Sequence, residues 1–218
     1  MHTLPGRPSV PVRGDLGDGR LGVVGLQVPR RGTTVELYPG ARRALRMLAT
    51  DPAHRGIILA AASTSLEPSY SDACLRTLEV LPGLTVGDML SYRQIGRSGR
   101  LNSDKRTHFR FLHEESTVPH EEMLFFDDCN WYECTNTHTH LLKNEQLVSI
   151  AMVDLSSHRC FFFPSFFPQF IRGDHVGTVN RAYGVVGQRT PEGLTFFEFE
   201  QGLERYRKHA QQMEAGNE

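Results

Sequence analysis

Apolar runs of strand length alternate with segments of helical spacing along most of the chain. "TVELYPG" (residues 34–40) predicts a short strand running into a turn, and Pro39 suits the start of a helix over "ARRALRML", where Ala41, Ala44, Leu45 and Leu48 share one face. "GIILAAAS" (56–63) is continuously apolar, the pattern of a strand covered on both faces, and "SYSDACLRTLEVL" follows with helical spacing at Cys74, Leu75 and Leu78. A third unit begins near "GDMLSY", crosses a Gly- and Arg-rich loop and enters a helix at "SDKRTHFRFLHEES", with Ser103 or Asp104 as its N-cap. The fourth is "EMLFF", closed by Asp127 and Asp128. Regular spacing then fails until "AYGVVGQ" and a last helix from about Phe196 to Gln211. Strands alternating with helices predict an α/β fold with a mainly parallel sheet and helices on both faces.

Two stretches break this rhythm. Residues 1–31 are rich in Gly, Pro and Arg with one weakly apolar patch at Leu21 to Val28, so a flexible segment holding at most one short strand is expected before the domain at 32–218. The stretch from about 134 to 176 fits neither period and predicts an insertion after the fourth strand unit.

Charge and composition narrow the partners. A chain of 218 residues, 39% hydrophobic and 22% charged, is long enough to bury a core. Its formal net charge of -1 gives no electrostatic footprint for nucleic acid, although Arg93, Arg97, Arg100, Lys105 and Arg106 make a local basic segment. The opening residues hold several arginines and no apolar signal core, so a reducing, cytoplasmic setting is expected for the four cysteines. "CFFFPSFFPQFI" is too short to span a bilayer and carries prolines.

Candidate chemistry gathers at strand ends, where open parallel sheets bind ligands. Asp127 and Asp128 repel unless a cation compensates, which suits Mg²⁺; an Asp-Asp-Cys-Asn turn capping the next helix is the other reading. Ser63, Thr64 and Ser65 end the second strand, where hydroxyls either hold a phosphate oxygen or cap the next helix. Lys105 stands in the first turn of a helix, against the macrodipole, which an anion nearby would explain; the alternative is a solvated lysine. His108 and His113 share that helix; the alternatives are that one of them faces the site or, preferred, that they have surface or packing roles.

"LYPGARRALRML", "AAAST", "DKRTHFRFLH", "FFDD" and "EGLTFFEFEQGLERY" occur in an order that resembles the magnesium-dependent phosphatase family of the haloacid dehalogenase superfamily. The resemblance covers about residues 30–130 and 177–210. It implies a Rossmannoid fold and phosphomonoester hydrolysis on substrates such as phosphotyrosine or sugar phosphates. By the same resemblance Ser63, with Thr64, binds the phosphoryl group, Lys105 balances its charge and holds the nucleophile, and Asp128 with Asp127 anchors Mg²⁺ as cofactor. The family's D-x-D-x-T strand, which carries the nucleophile, has no counterpart before "TVELYPG"; Asp15 and Asp18 in "RGDLGDGRLG" are a poor match in spacing. A truncated form, or an inactive module that binds phosphate and Mg²⁺, is therefore the alternative to an active phosphatase. Without that strand the sheet has a central slot that Leu21 to Val28, another segment or a second chain must fill.

Two further features stay open. Cys129, Cys134, His138 and His140 have zinc-ligating atoms, but buried thiols and exposed histidines are preferred. Phe161, Phe162, Phe163, Phe166, Phe167 and Phe170 form either a core patch of the insertion or a protein-docking surface.

Overall fold

The computed structural model describes residues 9–29, 33–128, 150–154, 159–162, 174–191 and 193–216, the segments 150–154 and 159–162 through their backbone alone. Strands β1 (Val10–Asp15), β2 (Leu21–Val28) and β3 (Thr33–Glu36) form an antiparallel sheet of three strands in that order. After α1 (Pro39–Thr50) come β4 (Ile57–Ser63), α2 (Pro68–Leu75), the short hairpin β5 (Glu79–Leu81) and β6 (Leu84–Thr85), and α3 (Val86–Met89). Then follow β7 (Leu90–Ile95), α4 (Lys105–Ser116), β8 (Met123–Asp127), β9 (Ile150–Asp154), β10 (Arg159–Phe162), α5 (His175–Tyr183), β11 (Val186–Arg189) and α6 (Phe196–Ala215). The protein is a mixed α/β structure with six α-helices among the described residues.

Parallel pairing occurs within two pairs of strands, β4 with β7 and β8 with β11, and also between β10 and β4 at Cys160↔Ile58 and Phe161↔Leu59. Among the described residues no backbone pairing joins the two pairs directly. Between them lie β9, antiparallel to β4 from Ile57↔Asp154 to Ala61↔Ile150, and β10, antiparallel to β9. Both also lie beside β8. A segment of the expected insertion thus stands in the central slot that the sequence left unassigned, while Leu21 to Val28 sits in the separate antiparallel sheet.

The apolar run of β4 is explained by cover on both faces. Leu59 and Ala61 join one buried cluster with α1, α2 and α6, whereas Ala60 and Ala62 join a second with Phe109, Leu112, Val176 and Val179 of α4 and α5. β8 divides in the same way, Leu124 and Phe126 to the first cluster and Met123 and Phe125 to the second. Full burial of a Leu or Phe side chain stabilises by about 1.5–3 kcal/mol, so this strand is a major contributor for its length. Phe125 meets Phe109 edge to face at 4.9 Å, fixing α4 over β8. α6 crosses the opposite face at Gly202, where an added Cβ would lie 2.5 Å from the Phe126 ring.

The expectation of little order before residue 32 is corrected. Asp15 Oδ1 accepts from the backbone N–H groups of Gly17, Asp18 and Gly19 at 2.8, 3.1 and 2.8 Å, and both glycines have positive φ, so "GDLGDGRLG" is a hairpin turn. The hairpin is tied to the domain by burial of Val23, Leu26 and Val28, and by Val23 N–H donating to Glu79 Oε2 at 2.7 Å. Composition hid it, because Gly and Arg dominate the turn while the anchoring residues are dispersed along β2. The face predicted for α1 is observed, with Ala41, Ala44 and Leu45 buried and Leu48 packed against them. α5 begins at His175, so a helix start lies inside the region expected to be insertion.

Candidate active site

α4 brings its charge to the end of β8 at its first residue. Asp104 is the N-cap, accepting from Arg106 N–H at 2.9 Å, and it starts the helix so that Lys105 points into the core. Lys105 is fully buried and its Nζ pairs with Asp127 Oδ2, also fully buried; the ammonium further lies 5.1 Å from the centre of the Phe125 ring. The anion expected beside this dipole-opposed lysine is therefore Asp127. Asp128, half-buried at the next position, has no such cation to itself among the described residues. Desolvation, and then the Asp127 charge, push its carboxyl up to about 7, against the pull of Lys105.

Ser63 ends β4 fully buried, and its Oγ has no hydrogen-bond partner among the described residues. An orphaned hydroxyl at such a site lacks a compensating partner and is ready to donate to a ligand oxygen. Thr190, just past β11, has a second buried hydroxyl in the same condition, while its backbone N–H donates to the Asp127 carbonyl at 2.9 Å. Thr64 and Ser65 are buried as well; Ser65 Oγ accepts from Glu67 N–H at 3.1 Å, a local turn ahead of α2, whose N-cap Glu67 has no side-chain capping bond, so the capping role that was the alternative for this cluster is not what the structure shows.

His108 holds these parts together. Fully buried one turn after Lys105, it places Nε2 3.1 Å from the Ser63 carbonyl and 3.0 Å from the Gly96 carbonyl. Two carbonyl neighbours require Nε2 to carry a hydrogen. Burial, and then the Lys105 charge, lower its pKa to about 4, so the ring is neutral near pH 7. The ring thus clamps the ends of β4 and β7 to the helix that carries Lys105. His175, the first residue of α5, is buried where Asp127, Lys105, Asp104 and Arg97 all act on it, and burial lowers its pKa.

The structure therefore brings Ser63, Thr64, Lys105, Asp127 and Asp128 to neighbouring strand and helix ends. It does not bring Asp15 or Asp18 there. Asp15 caps the hairpin turn and Asp18 pairs with Arg20 and Arg46. Cys129, Cys134, His138 and His140 lie outside the described residues, as does the Phe cluster apart from the β10 backbone at Phe161 and Phe162. His175 was missed by sequence reasoning, although Asp174 as N-cap, Val176 and Val179 three apart, and Gly184 at the end are a helix signature.

Among the described residues no group of three or more His, Cys, Asp or Glu side chains could hold a metal ion. Mg²⁺ needs fewer, since it takes one or two carboxylates and completes its shell with water and phosphate. Hard carboxylate oxygens at Asp127 and Asp128 fit that requirement, and a cation would offset the desolvation and, after it, the Asp127 charge that raise the Asp128 pKa.

Fold and site define a mixed α/β protein with a buried lysine–aspartate pair, a second carboxyl and an orphaned hydroxyl at the strand ends. The chain belongs to the acid phosphatase family, whose model matches residues 22–143, more than half of its length. That match runs from β2 through β8 and includes Ser63, Lys105, Asp127 and Asp128. Comparison with curated proteins gives no match. No helix among the described residues is long and apolar enough to cross a membrane.

Proposed function

We propose that the chain is a Mg²⁺-dependent phosphomonoester hydrolase of haloacid dehalogenase type, with a Rossmannoid sheet whose strand ends hold the substrate phosphate. In this reading Ser63 Oγ donates to a phosphoryl oxygen, with Thr64 beside it. Lys105 offsets negative charge that spreads over the phosphoryl oxygens during transfer. Asp128, helped by Asp127, holds Mg²⁺, which when bound supplies Lewis-acid stabilisation of that charge. The observation that carries the reading is the buried Lys105–Asp127 pair at the strand ends, with the unpartnered Ser63 hydroxyl nearby, inside a segment matched to a phosphatase family.

A second reading is favoured by one specific feature. β9 and β10 stand between β4 and β8, where the resemblance would put a strand bearing the nucleophile. A module that binds phosphate and Mg²⁺ without turnover would have this arrangement.

Hydrolysis of an aryl phosphate, with Mg²⁺ and with excess chelator, separates the two. Turnover that requires Mg²⁺ and is lost in Asp128→Asn and Ser63→Ala supports the hydrolase. Mg²⁺-dependent binding of inorganic phosphate by a folded but inactive chain supports the module. Wild-type turnover in Asp128→Asn would sink the assignment of that residue.

A further inference from the structure

The basic segment between β7 and α4 contains one arginine that differs from its neighbours. Arg93 pairs with Asp72 at 3.3 Å, Arg100 with Glu114 at 2.9 Å and Arg106 with Asp104 at 2.5 Å. Arg97 pairs with no carboxylate among the described residues. Its Nε donates to the Thr64 carbonyl, leaving the Nη1 and Nη2 hydrogens without a described partner. The guanidinium is half-buried, so its remaining donors are accessible to a ligand.

Its position is tightly set. Gly96 N–H donates to the Ser63 carbonyl at 2.8 Å and the Gly96 carbonyl is held by His108. Gly96 has φ 114°, and an added Cβ would meet Pro68 Cγ at 2.7 Å, so the turn that carries Arg97 back over the end of β4 depends on glycine. The dipeptides Ser63–Thr64 and Gly96–Arg97 are thereby joined at both residues, and the guanidinium is anchored one residue beyond the orphaned Ser63 hydroxyl. Thr64, whose carbonyl holds the guanidinium, directly follows Ser63, so a substrate that reaches both groups spans adjacent residues at the end of β4.

We infer that Arg97 receives a second anionic group on the substrate, so that the site prefers short phosphomonoesters that also carry a carboxylate or a second phosphate. This rests on the phosphomonoester reading above. An arginine fork presents parallel N–H donors that match the oxygens of either group, and with Nε already fixed to Thr64 less side-chain freedom is lost on binding.

Calorimetric titration of the full chain in Mg²⁺ at constant salt tests it, with phosphoglycolate, ethylene glycol bisphosphate and ethyl phosphate as probes. The expected result is that one or both probes with an anionic tail bind about tenfold tighter than ethyl phosphate, and that Arg97→Gln brings the ratio close to one. Which probe is preferred distinguishes carboxylate from phosphate. Arg97→Lys, which keeps the charge but not the fork, should retain part of the preference and serves if the Gln variant does not fold. Ethyl phosphate bound as tightly as the other two, or a preference unaffected by either substitution, overturns the role of Arg97 while leaving the phosphate site intact. Binding of none of the probes, nor of inorganic phosphate, by the folded chain overturns the phosphomonoester reading and this inference with it.

Discussion

Two acid pairs in this chain resemble each other on paper and differ in nearly everything that governs chemistry. Asp15 and Asp18 lie in an exposed hairpin turn, their oxygens committed to backbone N–H groups and to Arg20 and Arg46. Asp127 and Asp128 close a buried strand, where Asp127 meets one buried ammonium. Hydrogen bonding lowers the pKa of both turn carboxyls, whereas desolvation raises that of Asp128. Carboxylates already satisfied by their own turn are structural. Those withheld from water and only partly compensated can respond to a ligand.

The largest effect expected at either pair comes from breaking the buried one. Lys105→Met leaves Asp127 ionised without its ammonium in the core, and should cost about 3–5 kcal/mol by urea unfolding. Replacing both, as Lys105→Met with Asp127→Leu, should restore a large part of that loss, because the penalty arises from the uncompensated charge. A double variant as unstable as the single one would mean that Asp127 is held chiefly by other partners.

A smaller effect follows from His108. Its folded pKa, about 4, lies below the unfolded value near 6.5, so the unfolded chain binds more protons over that window and stability falls as pH falls through it. Between about pH 7.5 and about pH 5 the loss attributable to this ring is about 2 kcal/mol. His108→Gln keeps an N–H donor without titrating and should flatten that part of the pH dependence. His120 and His175, also lowered by burial, contribute in the same direction and remain in both proteins. Equal slopes for wild type and variant would show that His108 is protonated in the fold.

Such sites are only partly legible in sequence, for a physical reason visible in the elements themselves. β4, α1, α4 and β8 could be read because a strand covered on both faces, or a helix with one apolar stripe, writes its environment into consecutive residues. Lys105 could be singled out because a cation in a first helical turn is locally unfavourable. What joins distant segments left no local trace. His108 is an ordinary residue on a helix until Ser63 and Gly96, 45 and 12 positions away, supply the carbonyls beside its Nε2. Arg97 is one of several residues in a local basic segment until Thr64 supplies the carbonyl that holds its Nε. The placement of β9 against β4 likewise depends on a vacancy in the sheet that no periodicity in residues 150–154 announces.

Close packing at the buried pair gives a further contrast with the turn. Gly202→Ala puts a methyl against Phe126, whose strand continues into Asp127, and overpacking of about 1–3 kcal/mol is offset by about 1 kcal/mol of improved helix propensity. The net destabilisation should be about 1 kcal/mol, measured by urea unfolding. A stabilised variant would show that the Phe126 ring can move aside.

The smallest global effect is expected at Asp15. Its carboxylate is exposed, so water can take over the N–H groups of Gly17, Asp18 and Gly19 when it is removed. Asp15→Ala should therefore speed hydrogen exchange at those amides while barely moving the unfolding midpoint, since the hairpin is held by Val23, Leu26 and Val28. Because the Asp15 pKa is lowered in the fold, its contribution is complete above the ordinary carboxylate range and is lost only as pH falls through the lowered value. The difference between variant and wild type should thus be constant around neutral pH, where the His108 contribution is changing. If Asp15→Ala instead lowered the midpoint as much as Lys105→Met, the hairpin and the strand-end site would be one cooperative unit, and exposure would no longer separate the two acid pairs.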